Sequence, residues 1–195
     1  VETDTRAHLL FFTDRGQVYK SRAAEFDDTK ASVLGDYLPT KLGMDPGELP
    51  VYMAVTQDYK GWMLFAFENG KVAKVELGSY ETKTNRKKLL GAYCQKSPLV
   101  YIAAIQEDGE YLCATTASRM LIVNTAMVAA KAARDTQGVQ ALTMNAKKAV
   151  RLLWVQPYQE GMVENPHRLR TKSLPAAGAL VKTGVEQGEQ LTLGD

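Results

Sequence analysis

The chain has 195 residues, 45% of them hydrophobic and 24% charged, and a formal net charge of +2, which suits one packed domain and excludes a disordered polyelectrolyte. No apolar run approaches the ~18 residues of a membrane helix, so a soluble protein is expected. Cys94 and Cys113 are the only cysteines, too few and too far apart for a disulfide framework or a metal knuckle, and are expected to be reduced, partly buried thiols. The chain opens at Val1 with no initiator methionine and no signal-peptide pattern, and reads as a fragment of something longer.

In chain order, the first element is a hairpin from His8 to Lys20, H-L-L-F-F-T-D-R-G-Q-V-Y-K. Ala24 to Thr40 is polar, contains Gly35 and Pro39, and predicts a surface loop with a short strand around Tyr37-Leu38. Lys41 to Pro50 carries the Asp-Pro-Gly chemistry of a turn, and Val51 to Val55 reads as a strand. Gly61 to Tyr80 is the clearest hairpin: the apolar run Trp62 to Phe67 meets Asn69-Gly70, a dipeptide that tolerates positive φ at both central turn positions.

A polar connection, Glu81 to Lys88, leads to a strand over Leu99 to Ile105. Glu110 to Val123 is a third hairpin, with Arg119 at the glycine position of the first two. Ala126 to Arg134 has helical propensity, but its place in the series predicts a loop. Ala149 to Val155 follows as a strand. No fourth hairpin follows Glu160; only Ala179 to Val181 can add a strand, and Thr183 to Asp195 reads as a solvated tail.

Gly16, Gly70 and Arg119 lie about fifty residues apart, as do the strands at Val51 and Val100; a period of that size marks propeller blades or an array. The expected fold is all-β, a propeller-like arrangement of three four-stranded blades in one domain, 1–182, with units near 8–59, 60–108 and 109–159 and a closing segment 160–182. Propellers close with four to eight blades, so three leave an open ring whose gap is met by a further blade or by the terminal segments.

Charge is unevenly placed. Val1 to Tyr59 holds six basic and ten acidic residues, whereas Lys60 to Val100 holds eight basic and three acidic, a distribution that suits a polyanion. No Ser-His-Asp, Cys-His, paired-carboxylate or phosphate-loop arrangement is present. His8 and His167 stand alone in sequence, and Trp62 and Trp154 are expected in core or inter-blade packing.

The combination F-F-T-D-R-G-Q-V-Y-K, a polar loop reaching a glycine, L-P-x-x-L-x-M-x-P-G-E, and R-D-T-Q-G-V-Q-A-L-T resembles the C-terminal domain of the bacterial DNA gyrase A protein and its topoisomerase IV counterpart. The resemblance runs from about His8 to Val155. It implies a β-pinwheel, whose blades exchange strands and whose basic rim bends duplex DNA, and no catalytic role for any tyrosine in this domain. It also implies no cofactor here, ATP and magnesium belonging to other parts of the parent enzyme. The partners it implies are the remaining domains of the gyrase A or topoisomerase IV A protein and the ATPase B protein, in a cytoplasmic, nucleoid-associated assembly. The heptapeptide that marks gyrase, glutamine and arginines followed by paired glycines, is absent, so gyrase and topoisomerase IV are not distinguished.

Independently of that resemblance, lysine and arginine gain affinity for duplex DNA by releasing condensed counterions. The candidate DNA contacts are the cations in loops and turns of each unit: Arg15, Lys20 and Arg22; Lys71, Lys74, Lys83, Arg86, Lys87 and Lys88; Arg119, Lys131, Arg134, Lys147 and Lys148. A propeller serving protein interaction without DNA is the alternative. Gln190-Leu191-Thr192-Leu193 also resembles the start of a sliding-clamp docking motif, with Gly194 where an aromatic is wanted.

Overall fold

The computed structural model describes residues 4–30, 32–84, 86–144 and 149–181. Three antiparallel hairpins set the frame: β1 (His8–Thr13) with β2 (Val18–Arg22), β4 (Trp62–Phe67) with β5 (Lys71–Glu76), and β8 (Glu110–Thr115) with β9 (Arg119–Asn124). Each hairpin pairs on one side with a strand that follows it, β3 (Pro50–Thr56) on β1, β7 (Leu99–Ile105) on β4 and β12 (Leu152–Pro157) on β8. β7 lies against both β3 and β12, so these three strands form the inner edge of the array.

The outer edge of each blade comes from the next unit. β6 (Lys88–Leu89) pairs with β2, β10 (Ala130–Lys131) and β11 (Val139–Gln140) pair with β5, and β13 (Ala179–Leu180) pairs with β9. The registers are equivalent: Leu89 faces Val18, Val139 faces Val72, and Ala179 faces Met120. Beyond each, a backbone N–H closes on the preceding turn, Ala92 donating to the Gly16 carbonyl (2.7 Å), Ala141 to Gly70 (2.9 Å) and Val181 to Ser118 (3.2 Å). The arrangement is an open, strand-exchanged β-pinwheel. Gly138, at φ +73, shows what the exchange requires, because a Cβ there would sit 2.0 Å from the Val72 carbonyl oxygen, an approach open only to glycine.

The sheets pack face to face through two inter-blade cores. Between blades 1 and 2, Leu10, Phe12 and Val18 meet Met63, Phe65, Ala73 and Val75, with Tyr80, Leu89 and Tyr93 of the connecting linker between them. Phe12 and Tyr80 meet edge to face at 5.2 Å. Phe12 is fully buried, so Phe12→Ala should cost about 3–5 kcal/mol. Between blades 2 and 3, Leu64, Ala66 and Val72 meet Cys113, Leu121 and Val123. Both thiols are buried, and burial pushes that of Cys113 up to about 12, which leaves it inert.

The two outward flanks are covered by linkers. On blade 1, Leu9, Phe11 and Tyr19 pack under Phe26, Leu38, Leu42 and Met44; on blade 3, Leu112 and Ile122 pack under Tyr158, Val163 and Leu169. The Pro-Gly-Glu turn of the first linker is anchored by Glu48, 1% exposed, which accepts from Tyr19 Oη at 2.7 Å and from the Asp45 amide at 3.0 Å.

Four local expectations are corrected. Leu38–Leu42 is a short helix, α1, rather than a strand beginning at Tyr37, because Pro39 suits the first turn of a helix and Gly43, at φ +61, caps it. Arg119 does not occupy the turn-glycine position. Ser118 does, at φ 54, while Arg119 opens β9 as Lys71 opens β5, so the strain of that turn falls on a serine. Trp154 is 37% exposed on β12 rather than enclosed, whereas Trp62 packs beside the second inter-blade core. The closing segment 160–182, in which the sequence shows only a strand at Ala179 to Val181, also includes the helical turn α2 (Pro166–Leu169) that caps the last blade.

Candidate nucleic-acid interface

The strand exchange decides where the cations go. Because each outer edge is built from the linker of the following unit, cations on successive linkers are laid along the outer edges of successive blades. Lys83, Arg86 and Lys87 precede β6 on blade 1, and Lys131 and Arg134 accompany β10 on blade 2. The sequence alone places them in loops; only the exchange places them on one rim.

Five candidates converge. Lys20, Arg22, Lys83, Arg86 and Lys87 line a single open cleft of about 540 Å³ between the far end of the first hairpin and the second linker. Arg22, Lys83, Arg86 and Lys87 are exposed. The two walls are tied by the Lys20 amide donating to the Lys87 carbonyl (2.7 Å) and by Lys20 Nζ donating to Thr82 Oγ1 (2.8 Å). Desolvation lowers the Lys20 pKa against the opposing pull of Glu81, so its ammonium is under-compensated where it stands. An anion in the cleft would supply what Lys20 lacks.

His8, Ser21, Glu25, Thr82 and Thr84 complete the lining. His8 looked isolated in sequence, but strand pairing sets it opposite Arg22, and desolvation, then the charges of Arg22 and Lys20, hold its pKa below the usual value. It is the site residue that sequence reasoning missed, and the alternation of β1 against β2 was the signal that could have found it.

The other candidates divide. Lys74 is a correction: it is 5% exposed, its Nζ 2.8 Å from Asp108 Oδ1 and 3.1 Å from the Thr125 carbonyl, above the Trp62 ring at 4.7 Å. A lysine so neutralised joins blades 2 and 3 and has no charge to spare for a phosphate. Lys88 is half-buried and paired with Asp45 at 2.8 Å. Arg119 donates to the Gly178 carbonyl and Arg134 to the Ser79 carbonyl, at 2.8 and 2.9 Å, so each partly spends its donors on holding a linker. Arg15 is exposed and bonded to the Pro46 carbonyl at 2.9 Å, Lys71 bonds Gln137 at 2.9 Å, and Lys131 is exposed. Lys147 and Lys148 lie outside the described residues, as does the clamp-like tail sequence.

Among the described residues no group of three or more His, Cys, Asp or Glu side chains is placed to hold a metal ion, and no helix is long and apolar enough to cross a membrane. The site can attract and orient an extended polyanion.

The fold is that of the β-pinwheel class found at the C-terminus of the A proteins of type IIA topoisomerases. It is similar to the C-terminal domain of DNA topoisomerase IV, with a TM-score of 0.68 and 22% identity over 82% of this chain and 50% of that one. It is similar also to the DNA gyrase A C-terminal domain (0.58, 16%, covering 91% and 60%) and to the E. coli ParC C-terminal domain (0.61, 16%, covering 80% and 63%). In sequence it is 30% identical to the DNA gyrase A protein of Streptomyces coelicolor over 80 residues, which is 40% of this chain and 9% of that protein. It is 22% identical to a probable chloroplastic/mitochondrial DNA gyrase A protein of Oryza sativa subsp. japonica, over 88% of this chain and 18% of that one. The chain thus spans under a fifth of those curated relatives and about half to two thirds of the solved domains. No family model matches it.

Proposed function

We propose that this chain is a non-catalytic DNA-binding and DNA-bending domain of the A protein of a type IIA topoisomerase, gyrase or topoisomerase IV, that engages duplex DNA independently of sequence. The observation that carries the reading is the convergence of Lys20, Arg22, Lys83, Arg86 and Lys87 on one cleft of the outer rim. Lys131 and Arg134 continue the cationic series on the next blade.

Bending a duplex over two or three turns costs about 1–6 kcal/mol, which one contact cannot offset and a series of contacts along successive blades can. In this reading Lys83, Arg86 and Lys87 meet phosphates first, being exposed and, among the described residues, in no ion pair with a carboxylate. Lys20 and Arg22 form the floor, and Lys131 with Lys71 guides the continuing duplex. Strand cleavage and ATP hydrolysis belong to other domains and to the ATPase B protein, the partners this reading assigns. The setting is the cytoplasmic nucleoid.

A gel shift on duplex DNA over a salt series, followed by plasmid relaxation in the presence of the protein, tests the proposal. It predicts salt-sensitive, sequence-indifferent binding and an altered linking number. Absence of binding at low salt would leave the pinwheel as a protein-interaction module.

A further inference from the structure

The loop that carries the exposed cations of the cleft is held at both ends by one side chain of the next linker. Arg134 lies between β10 and β11, on the outer edge of blade 2. From there its guanidinium crosses to the second linker, where Nη1 donates to the Ser79 carbonyl at 2.9 Å and Nη2 to the Leu90 carbonyl at 3.5 Å. Ser79 lies in the turn that leaves β5, and Leu90 follows directly on β6. The two acceptors therefore bracket the segment 80–89, which contains Lys83, Arg86 and Lys87.

The inner side of that segment is fastened to blade 1. The Lys87 carbonyl accepts from the Lys20 amide, Thr82 Oγ1 accepts from Lys20 Nζ, and Lys88 pairs with Asp45. Arg134 supplies the attachment to blade 2. It makes no ion pair among the described residues, and its Nε is buried without a hydrogen-bond partner. What it contributes is the fork itself, one rigid plane reaching two carbonyls eleven residues apart. The residue is not part of the repeat. Leu89, Val139 and Ala179 are equivalent in register, and the positions five residues before them are Thr84, Arg134 and Leu174. Of these three linkers, the one that follows the cationic loop has the arginine.

We infer that Arg134 is a positioning residue for duplex binding: by gripping Ser79 and Leu90 it fixes the mouth of the loop, so that the outer edge of blade 2 presets the cations that blade 1 offers to phosphate. Its effect on binding rests on the DNA reading above; the grip itself does not. An arginine engaged in this way acts through the loop and not by touching DNA. A lysine in its place keeps the charge, but one compact ammonium on a flexible stem cannot span both carbonyls. Charge and geometry are therefore separable at this position.

The test compares Arg134→Lys, Arg134→Met and Lys131→Met in the full chain, reading amide hydrogen exchange of residues 78–92 without DNA and affinity for a short duplex across a salt series. Arg134→Lys should speed exchange of that segment about three- to tenfold while exchange of β4 holds. It should also weaken duplex binding about threefold with the salt slope unchanged, because no phosphate contact is lost. Arg134→Met should match it in exchange. Lys131→Met should leave exchange as it is and make the slope shallower by about 0.9, as the loss of one phosphate contact does. Arg134→Lys with the exchange and affinity of the unmodified protein would overturn the inference, since charge alone would then suffice. So would an Arg134→Met slope shallower by about 0.9 with unchanged exchange, which would make Arg134 itself a phosphate contact, or faster exchange spread equally over all three hairpins, which would mark a loss of global stability. If the unmodified protein bound no duplex, the DNA reading would fail, while exchange in Arg134→Lys would still decide whether Arg134 holds the loop.

Discussion

Lys20 and Lys74 stand at the same place in two successive hairpins, opposite Leu10 and Leu64, and do opposite things. At the junction of blades 2 and 3, Asp108 meets Lys74, the pair is bonded further by Thr125, and the cation becomes a strut over the Trp62 ring. At the junction of blades 1 and 2, Lys20 has a hydroxyl and the Tyr59 ring for company and opens onto a cleft shared with four more cations. The acid makes the difference. Two residues before β8 stands Asp108; two residues before β4 stands Lys60. One architectural lysine is thus a structural element where the next loop supplies a carboxylate, and opens onto the cationic cleft where the equivalent position is Lys60, itself paired outward with Asp58 at 3.3 Å. In the third hairpin the position is Ile122, fully enclosed, so the series runs from available charge through neutralised charge to none.

That contrast can be broken from its structural end first. Removing Asp108 strands a buried ammonium, so Asp108→Ala should destabilise the fold by about 3 kcal/mol, since breaking one side of a buried pair costs more than the pair contributes. Its melting temperature should fall by about 6–12 °C, with DNA affinity of the folded protein unchanged. Replacing both partners, Lys74→Met with Asp108→Leu, should recover most of that loss.

The functional end is next in size. Lys83→Glu, Arg86→Glu and Lys87→Glu together should weaken duplex binding about 30- to 100-fold near 0.1 M salt, with the melting temperature held. These side chains are exposed and make no ion pair among the described residues.

Converting one junction into the other is a finer test. Lys60→Asp gives Lys20 the kind of neighbour Lys74 has, and should reduce DNA affinity about fivefold in titrations against a short duplex while leaving stability within about 0.5 kcal/mol.

The smallest expected effects are on pH, and they differ in sign. The folded pKa of Asp108 is lowered, chiefly by its hydrogen bond from Lys74 and then by that from Thr125, so its stabilising contribution is complete above the usual value of 3.8 and is lost as pH falls through the depressed one. His8 is also held below its usual value of 6.5, but DNA phosphate in the cleft would favour its charged form. Duplex affinity should therefore rise about two- to threefold per unit as pH drops below 6.5, by fluorescence anisotropy, and His8→Gln should abolish that rise.

The sequence carried the hairpins and the inner strands β3 and β7 clearly, because alternation over five to seven residues is a strong signal and the Asn69-Gly70 turn fixes its own hairpin. It carried one donor strand, β13, within Ala179 to Val181, but not β6 or β11 as strands. These are two residues long and owe their extended form to a partner about seventy residues earlier, so only the repeat could suggest them. Of the site, the cations of the second linker were legible as a cluster, whereas Lys74 was indistinguishable from them. Its partner Asp108 lies 34 residues away, and no local pattern distinguishes a buried ion pair from two solvated charges. His8 failed for the same reason in reverse, since its neighbours arrive through strand pairing.

Whether the rim of blade 1 holds duplex DNA by its phosphates is read most directly by the salt dependence of binding. With about five phosphate contacts, log affinity against log salt should fall with a slope of about −4 to −5, and the slope of the Lys83→Glu, Arg86→Glu, Lys87→Glu variant should be shallower by about 3. A slope near zero for the unmodified protein, or an identical slope for the two proteins, would contradict phosphate binding at this rim.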